Sequence, residues 1–134
     1  MAALNKIEGI GASYQEKLKG VGVTSLESLL KAGSKPAGRK ELAEKSEISP
    51  KLLLKWVNNA DLFRINGIAS QFAELLEAAG VDTVVELAQR NAENLHAKLV
   101  ETNKDKKLVR LVPGLKKVED FIQQAKALDR VVEY

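Results

Sequence analysis

The stretch Ile7-Glu8-Gly9-Ile10-Gly11 runs without a break into Ala12-Ser13-Tyr14-Gln15-Glu16-Lys17-Leu18, and the phrase returns 58 residues later as Ile65-Asn66-Gly67-Ile68-Ala69, again ahead of an amphipathic run. Two glycines around one apolar residue allow a tight turn that a β-carbon would forbid. They also leave bare N–H groups at the start of the helix that follows, where a phosphate or carboxylate can be held. Tyr14/Phe72, Leu18/Leu76, Gly22/Gly80, Val23/Val81 and Leu29/Leu87 keep the same spacing. A period of this kind predicts one local fold used twice, with a first repeat over residues 1–62 and a second over 63–134. The missing linker between them predicts that the halves pack as one unit.

The apolar residues recur at i, i+3 and i+4, and no run alternates with period two, which predicts an all-α chain of short helices. Even Val84-Val85 lies between helical flanks and reads as helix. In the first repeat the spacing predicts helices over 13–19, from Leu26 onward, over 39–45 and over 50–62. Thr24 and Glu27 have the positions of a capping box, and Lys31 to Gly38 reads as a loop. Ser49-Pro50 places a cap before a first-turn proline. In the second repeat Asp82 stands where Thr24 stood, Asn91 caps a longer helix to about Asn103, and Lys104 to Arg110 forms a basic connection. Pro113-Gly114 opens a last helix with an apolar stripe of Val118, Phe121, Ile122, Ala125 and Leu128. Phe121 there takes the role of Trp56, and the extra residues of the second repeat fall in its third helix and loop.

Aromatic residues make up only 4% of the chain, so the core is aliphatic around Trp56 and a few rings. The absence of cysteine removes disulfides, thiolate metal sites and cysteine nucleophiles, and suits a reducing, cytoplasmic setting. No apolar run suggests a signal peptide or a membrane span. Charge is uneven: residues 1–64 carry 11 basic and 7 acidic side chains, and residues 65–134 carry 10 and 11. His96 is the sole histidine, and one histidine without a second ligand cluster does not make a metal site. No Walker loop, nucleophile elbow or acidic ligand run is present. These observations predict a protein that is not an enzyme and needs no cofactor or metal.

The pattern of residues 7–29, apolar-x-Gly-apolar-Gly followed by Tyr14, Leu18, Gly22, Val23, Ser25, Leu26 and Leu29, resembles the helix-hairpin-helix motif. The whole first repeat resembles the paired, SAM-like helix-hairpin-helix domain at the N-terminus of archaeal recombinases. A degenerate second hairpin would then lie at Glu47-Ile48-Ser49-Pro50-Lys51, and its counterpart at Leu111-Val112-Pro113-Gly114-Leu115-Lys116-Lys117. Across its full length, and most closely from Trp56 to Leu128, the chain also resembles a bacterial family of small proteins of unknown function built on this motif, a likeness carried by residues 73–84 and by Glu93-Asn94-Leu95-His96. The resemblance implies a tandem helix-hairpin-helix bundle that holds nucleic-acid phosphates on hairpin N–H groups without reading base sequence.

Binding of this kind draws its affinity from Lys and Arg on phosphates. Neither glycine hairpin has a basic residue in its following turn, and Ala69 replaces the second glycine of the later one. The densest basic group is Lys104, Lys106, Lys107, Arg110, Lys116 and Lys117. The expected interface is therefore Gly9, Ile10 and Gly11 with Lys51, together with Arg110, Gly114, Lys116 and Lys117, acting on duplex DNA. The competing expectation is a protein-interaction scaffold that kept the fold without the phosphate grip.

Overall fold

A computed structural model describes residues 3–134. All regular elements among them are helical, as the apolar spacing implies, and none is a strand. The chain divides into two compact units, Met1–Asp61 with Val131–Tyr134, and Leu62–Arg130.

The first unit opens with a single 3-10 turn, Leu4–Lys6, followed by α1 (Ala12–Lys19), α2 (Leu26–Ala32), α3 (Pro36–Ser46) and α4 (Pro50–Leu62). Ile7, Leu18, Val23, Leu29, Leu53, Trp56 and Val57 are its most deeply buried large side chains among the described residues. Gly9 takes φ +95°, and the Ile10 N–H donates back to the Ile7 carbonyl at 3.2 Å. The hairpin is thus a closed turn. Gly22, at φ +85°, ends α1, with the Val23 N–H donating to the Leu18 carbonyl at 2.9 Å. This is a Schellman closure, in which a left-handed glycine lets the last carbonyls find donors.

The second unit contains α5 (Ser70–Ala78), α6 (Val84–Ala88), α7 (Ala92–Lys106) and α8 (Leu115–Ala127). Here α8 packs on α6 and α7, and α5 on α7, around Leu75, Leu87, Leu99, Val118 and Phe121. The backbone geometry of the first unit recurs. Gly67 and Gly80 take φ +99° and +94°. Ile68 donates to Ile65 at 3.2 Å and Val81 to Leu76 at 2.8 Å. Asn91 caps α7 by accepting from the Asn94 N–H at 3.0 Å.

Three sequence expectations are corrected. The cap of α2 is Ser25, not Thr24: its Oγ accepts from the Ser28 N–H, and the Ser28 Oγ accepts from the Ser25 N–H. Likewise Thr83, not Asp82, caps α6 by accepting from the Glu86 N–H at 3.3 Å. Ser25 and Thr83 are both 3% exposed, so their hydroxyls must bond to protein, and the first-turn N–H groups are at hand. Second, the supposed loop 31–38 shrinks to residues 33–35, and α3 starts at Pro36 rather than Arg39. Pro36 occupies the first turn, where its missing N–H costs nothing. A β-carbon on Gly38 would collide with the Ala32 carbonyl oxygen, and one on Gly33 would lie 2.5 Å from Val57 Cγ2. The glycines here mark close packing of α2, α3 and α4, not a flexible link. Third, α7 runs to Lys106, so Lys104 and Lys106 belong to its last turn, and Lys107 closes it at φ +51°. Basic groups at a helix C-terminus oppose the negative end of the helix dipole, which favours this extension.

On α3, Lys45 Nζ lies 2.7 Å from Glu41 Oε1 with both side chains exposed. The order, Glu before Lys at i, i+4, is the favoured one. The hydrogen bond and the charge of Lys45 hold Glu41 below the usual glutamate range, and the same contact raises Lys45. For Glu41 the stabilisation is present above the unfolded-state pKa and is lost as pH falls through the folded one. For Lys45 it is present below the unfolded-state pKa and is lost as pH rises through the raised value. An NMR titration of the Glu41 carboxyl is expected to show a midpoint below that of a free glutamate, moving up in Lys45→Met. An unchanged midpoint in that variant would show that the pair does not form in solution.

Candidate nucleic-acid interface

In the first unit Gly9 and Gly11 are exposed, and Ile10 is 4% exposed. The Ile10 side chain is thus part of the core and anchors the hairpin, while its N–H is already used within the turn. The two glycines have different reasons to be glycine. Gly9 needs the left-handed backbone, and its face lies over Trp56, whose Nε1 would be 3.8 Å from a β-carbon placed there. Gly11 has φ −90° and ψ −173°, open to any residue, and a β-carbon on it would touch nothing within 4 Å. As the N-cap of α1 it offers no side chain to the first-turn N–H groups, where Ser, Thr, Asp or Asn would ordinarily cap them. Lys51 is exposed in the first turn of α4, which contains no acidic residue.

The second unit brings together residues the sequence kept apart. Ala69 caps α5 at φ −109° and ψ 179°, again without a side-chain bond. Its conformation is close to that of Gly11, so replacing the second glycine costs the hairpin nothing in backbone strain. Gly67, absent from the expected interface, lies against α8: a β-carbon on it would be 3.0 Å from Phe121 Cε1 and 3.8 Å from Lys117 Cε. The Lys117 side chain therefore lies beside the Gly67 hairpin. Besides the Ile68 N–H that closes the turn, a second N–H of that hairpin is engaged. Asn66 N–H donates to Gln124 Oε1 at 2.9 Å, and Gln124 Nε2 donates to the Asn66 carbonyl at 3.1 Å. Gln124, which sequence reasoning missed, pins the turn to α8; its only signal was a polar residue one turn from Phe121 on the helix predicted to follow Gly114.

Gly114 is the N-cap of α8, has no side-chain cap bond, and is followed by exposed Lys116 and Lys117 with no acid in the first turn. This inverts the usual preference for Asp or Glu at the positive end of the helix dipole. Arg110 is exposed in the preceding loop. That loop is held at one end by Asn103, whose Nδ2 donates to the Val109 carbonyl at 2.9 Å and whose Oδ1 accepts from the Val109 N–H at 3.0 Å. His96 is half-buried on α7. Among the described residues no helix is long and apolar enough to cross a membrane.

No curated protein and no solved structure matches the chain. A family model described as a domain of unknown function, DUF4332, matches residues 8–128, and with almost the whole sequence inside that match the chain belongs to this family.

Proposed function

We propose that the protein is a non-enzymatic, sequence-independent nucleic-acid-binding module, built from two tandem helix-hairpin-helix copies, that holds duplex DNA by its phosphates. The observation that carries this reading is the start of α8, where an uncapped Gly114 is followed by Lys116 and Lys117. Two cations beside the positive end of a helix dipole repel it, and a phosphate placed there is attracted by all three. The first unit supplies a parallel, with Lys51 in an acid-free first turn of α4. Tandem duplication is supported by the 58-residue repeat of glycine conformation, turn closure and helix cap.

Affinity for a short duplex should fall steeply with salt. If Arg110, Lys116 and Lys117 each neutralise one phosphate, the log–log slope contributed by the second unit is about −3. Lys116→Glu with Lys117→Glu should flatten the total slope by about two, and Lys51→Glu tests the first unit separately. A duplex affinity that ignores salt, or that survives the double reversal, would sink the reading.

The second reading, a protein-interaction scaffold, is favoured by Gln124 occupying a hairpin N–H that a phosphate would otherwise use. Capture of a partner that persists after nuclease treatment would support it.

A further inference from the structure

The loop between α7 and α8 displays one large apolar side chain to solvent. Leu111 is 81% exposed, while its neighbours Leu108 and Val112 are half-buried and Val109 is 8% exposed. The display is built. Lys107 turns the chain out of α7 in the left-handed conformation, and Asn103 bonds both polar groups of Val109. Pro113 restricts the backbone on the far side. Between these fixed points Leu111 projects next to exposed Arg110, three residues before the cap of α8 with its Lys116 and Lys117. The rim is cationic, so the surface that covers Leu111 is anionic with an apolar interior.

Resting on the nucleic-acid reading above, we propose that Leu111 is a wedge that enters the base stack, giving the protein a preference for duplex DNA whose stacking is already interrupted. Apolar side chains, leucine among them, do enter base steps, but unstacking an intact step is costly. Burial of one leucine does not offset that cost by itself, whereas at a gap or bulge the step is already open. The reach also fits. Three residues span at most about 11 Å, roughly three steps along a strand whose charges rise about 3.4 Å each. A wedge at the open step and phosphate contacts at Gly114, Lys116 and Lys117 can therefore be made on one side of it.

The test is equilibrium binding of the full chain to duplexes of one sequence, intact or with a one-nucleotide gap, across a salt series. The gapped duplex should bind about tenfold tighter, the order that burying a leucine allows. Leu111→Ala should bring the two within about twofold while leaving the salt slope unchanged, because it removes no charge. The residue is exposed, so the substitution does not threaten the fold. A 2-aminopurine placed beside the gap should change its fluorescence on adding the natural chain and not on adding Leu111→Ala. Equal affinity of the natural chain for both duplexes, or a gap preference kept by Leu111→Ala, overturns the wedge and leaves the phosphate reading standing. No binding to either duplex overturns both. Leu111-dependent binding to vesicles containing anionic lipid, without gap preference, overturns the wedge in favour of a membrane surface.

Discussion

Trp56→Ala should remove about 3–5 kcal/mol from the first unit, and Trp56→Phe about 1–2 kcal/mol. The indole is 1% exposed. It meets Tyr14 edge-on with ring centroids 5.0 Å apart and an interplanar angle of 67°, a geometry that adds to its area burial. It also forms the floor of the first hairpin, with its Nε1 against Gly9. A unit of this size has a total stability of only a few to about ten kcal/mol, so truncation leaves it near or past its unfolding midpoint. Phenylalanine is tolerated because the second unit already uses one: Phe121 lies beneath Gly67 as Trp56 lies beneath Gly9. Urea unfolding followed by far-UV circular dichroism, with amide exchange in α1 and α4, checks the difference. If Trp56→Phe costs as much as Trp56→Ala, the parallel between the two aromatic floors is wrong.

The helical class and the positions of most helices were legible because apolar spacing is a local signal. α4 and α8 carry enough apolar residues on one side to define a face, and Asn91 caps α7 as its position suggested. What failed was information that only packing supplies. Thr24-Ser25 and Asp82-Thr83 each offer two adjacent caps; the choice falls on the one whose hydroxyl is buried, and burial is not written locally. Gly33 and Gly38 look like loop residues by composition, yet a side chain at either would strike α4 or the end of α2. The same glycine serves a turn or a close contact, and the chain alone does not distinguish them.

The candidate interface divides along the same line. Lys51, Arg110, Lys116 and Lys117 are basic residues that the sequence alone picks out as candidates, and all four are exposed. Ile10 sits between the two glycines in the expected interface, but as the apolar residue of the hairpin it turns inward, and its N–H closes the turn. Lys117 beside Gly67 and Gln124 on Asn66 depend on α8 packing against the second hairpin. Residues that far apart in sequence are joined only by the fold. By sequence Leu111 belongs to a degenerate hairpin; its exposure depends on Asn103 holding Val109.

Arg39→Met should release residues 131–134 from the first unit at a cost of about 2–5 kcal/mol. Arg39 lies on α3 among Lys40, Glu41, Glu44 and Lys45 and looks like one more surface charge, yet it is 8% exposed. Its Nη1 donates to the Gly33 carbonyl and its Nη2 to the Glu133 carbonyl, both at 2.8 Å. The guanidinium carbon also lies 5.9 Å from the centre of the Tyr134 ring. Methionine keeps much of the stem but leaves two acceptors without their charged donor, and the Gly33 carbonyl lies at a buried glycine. Lysine is not a conservative replacement, because a single ammonium cannot reproduce the fork that reaches two carbonyls; Arg39→Lys should fall between the natural residue and methionine. Other ties would remain, among them the Glu133 N–H donating to the Ser34 carbonyl at 2.7 Å, the Tyr134 hydroxyl donating to Asn58 Oδ1 at 2.9 Å, and the buried Val132 side chain. Amide exchange at Glu133 distinguishes the contributions. If Arg39 is the clamp, protection there should drop at least tenfold in Arg39→Met while Tyr134→Phe changes it little, since the tyrosine is 62% exposed and its hydroxyl can turn to water. Protection that survives Arg39→Met would instead assign the holding force to Val132 and the backbone bond, and would make the buried guanidinium a filler of the α2–α3 junction.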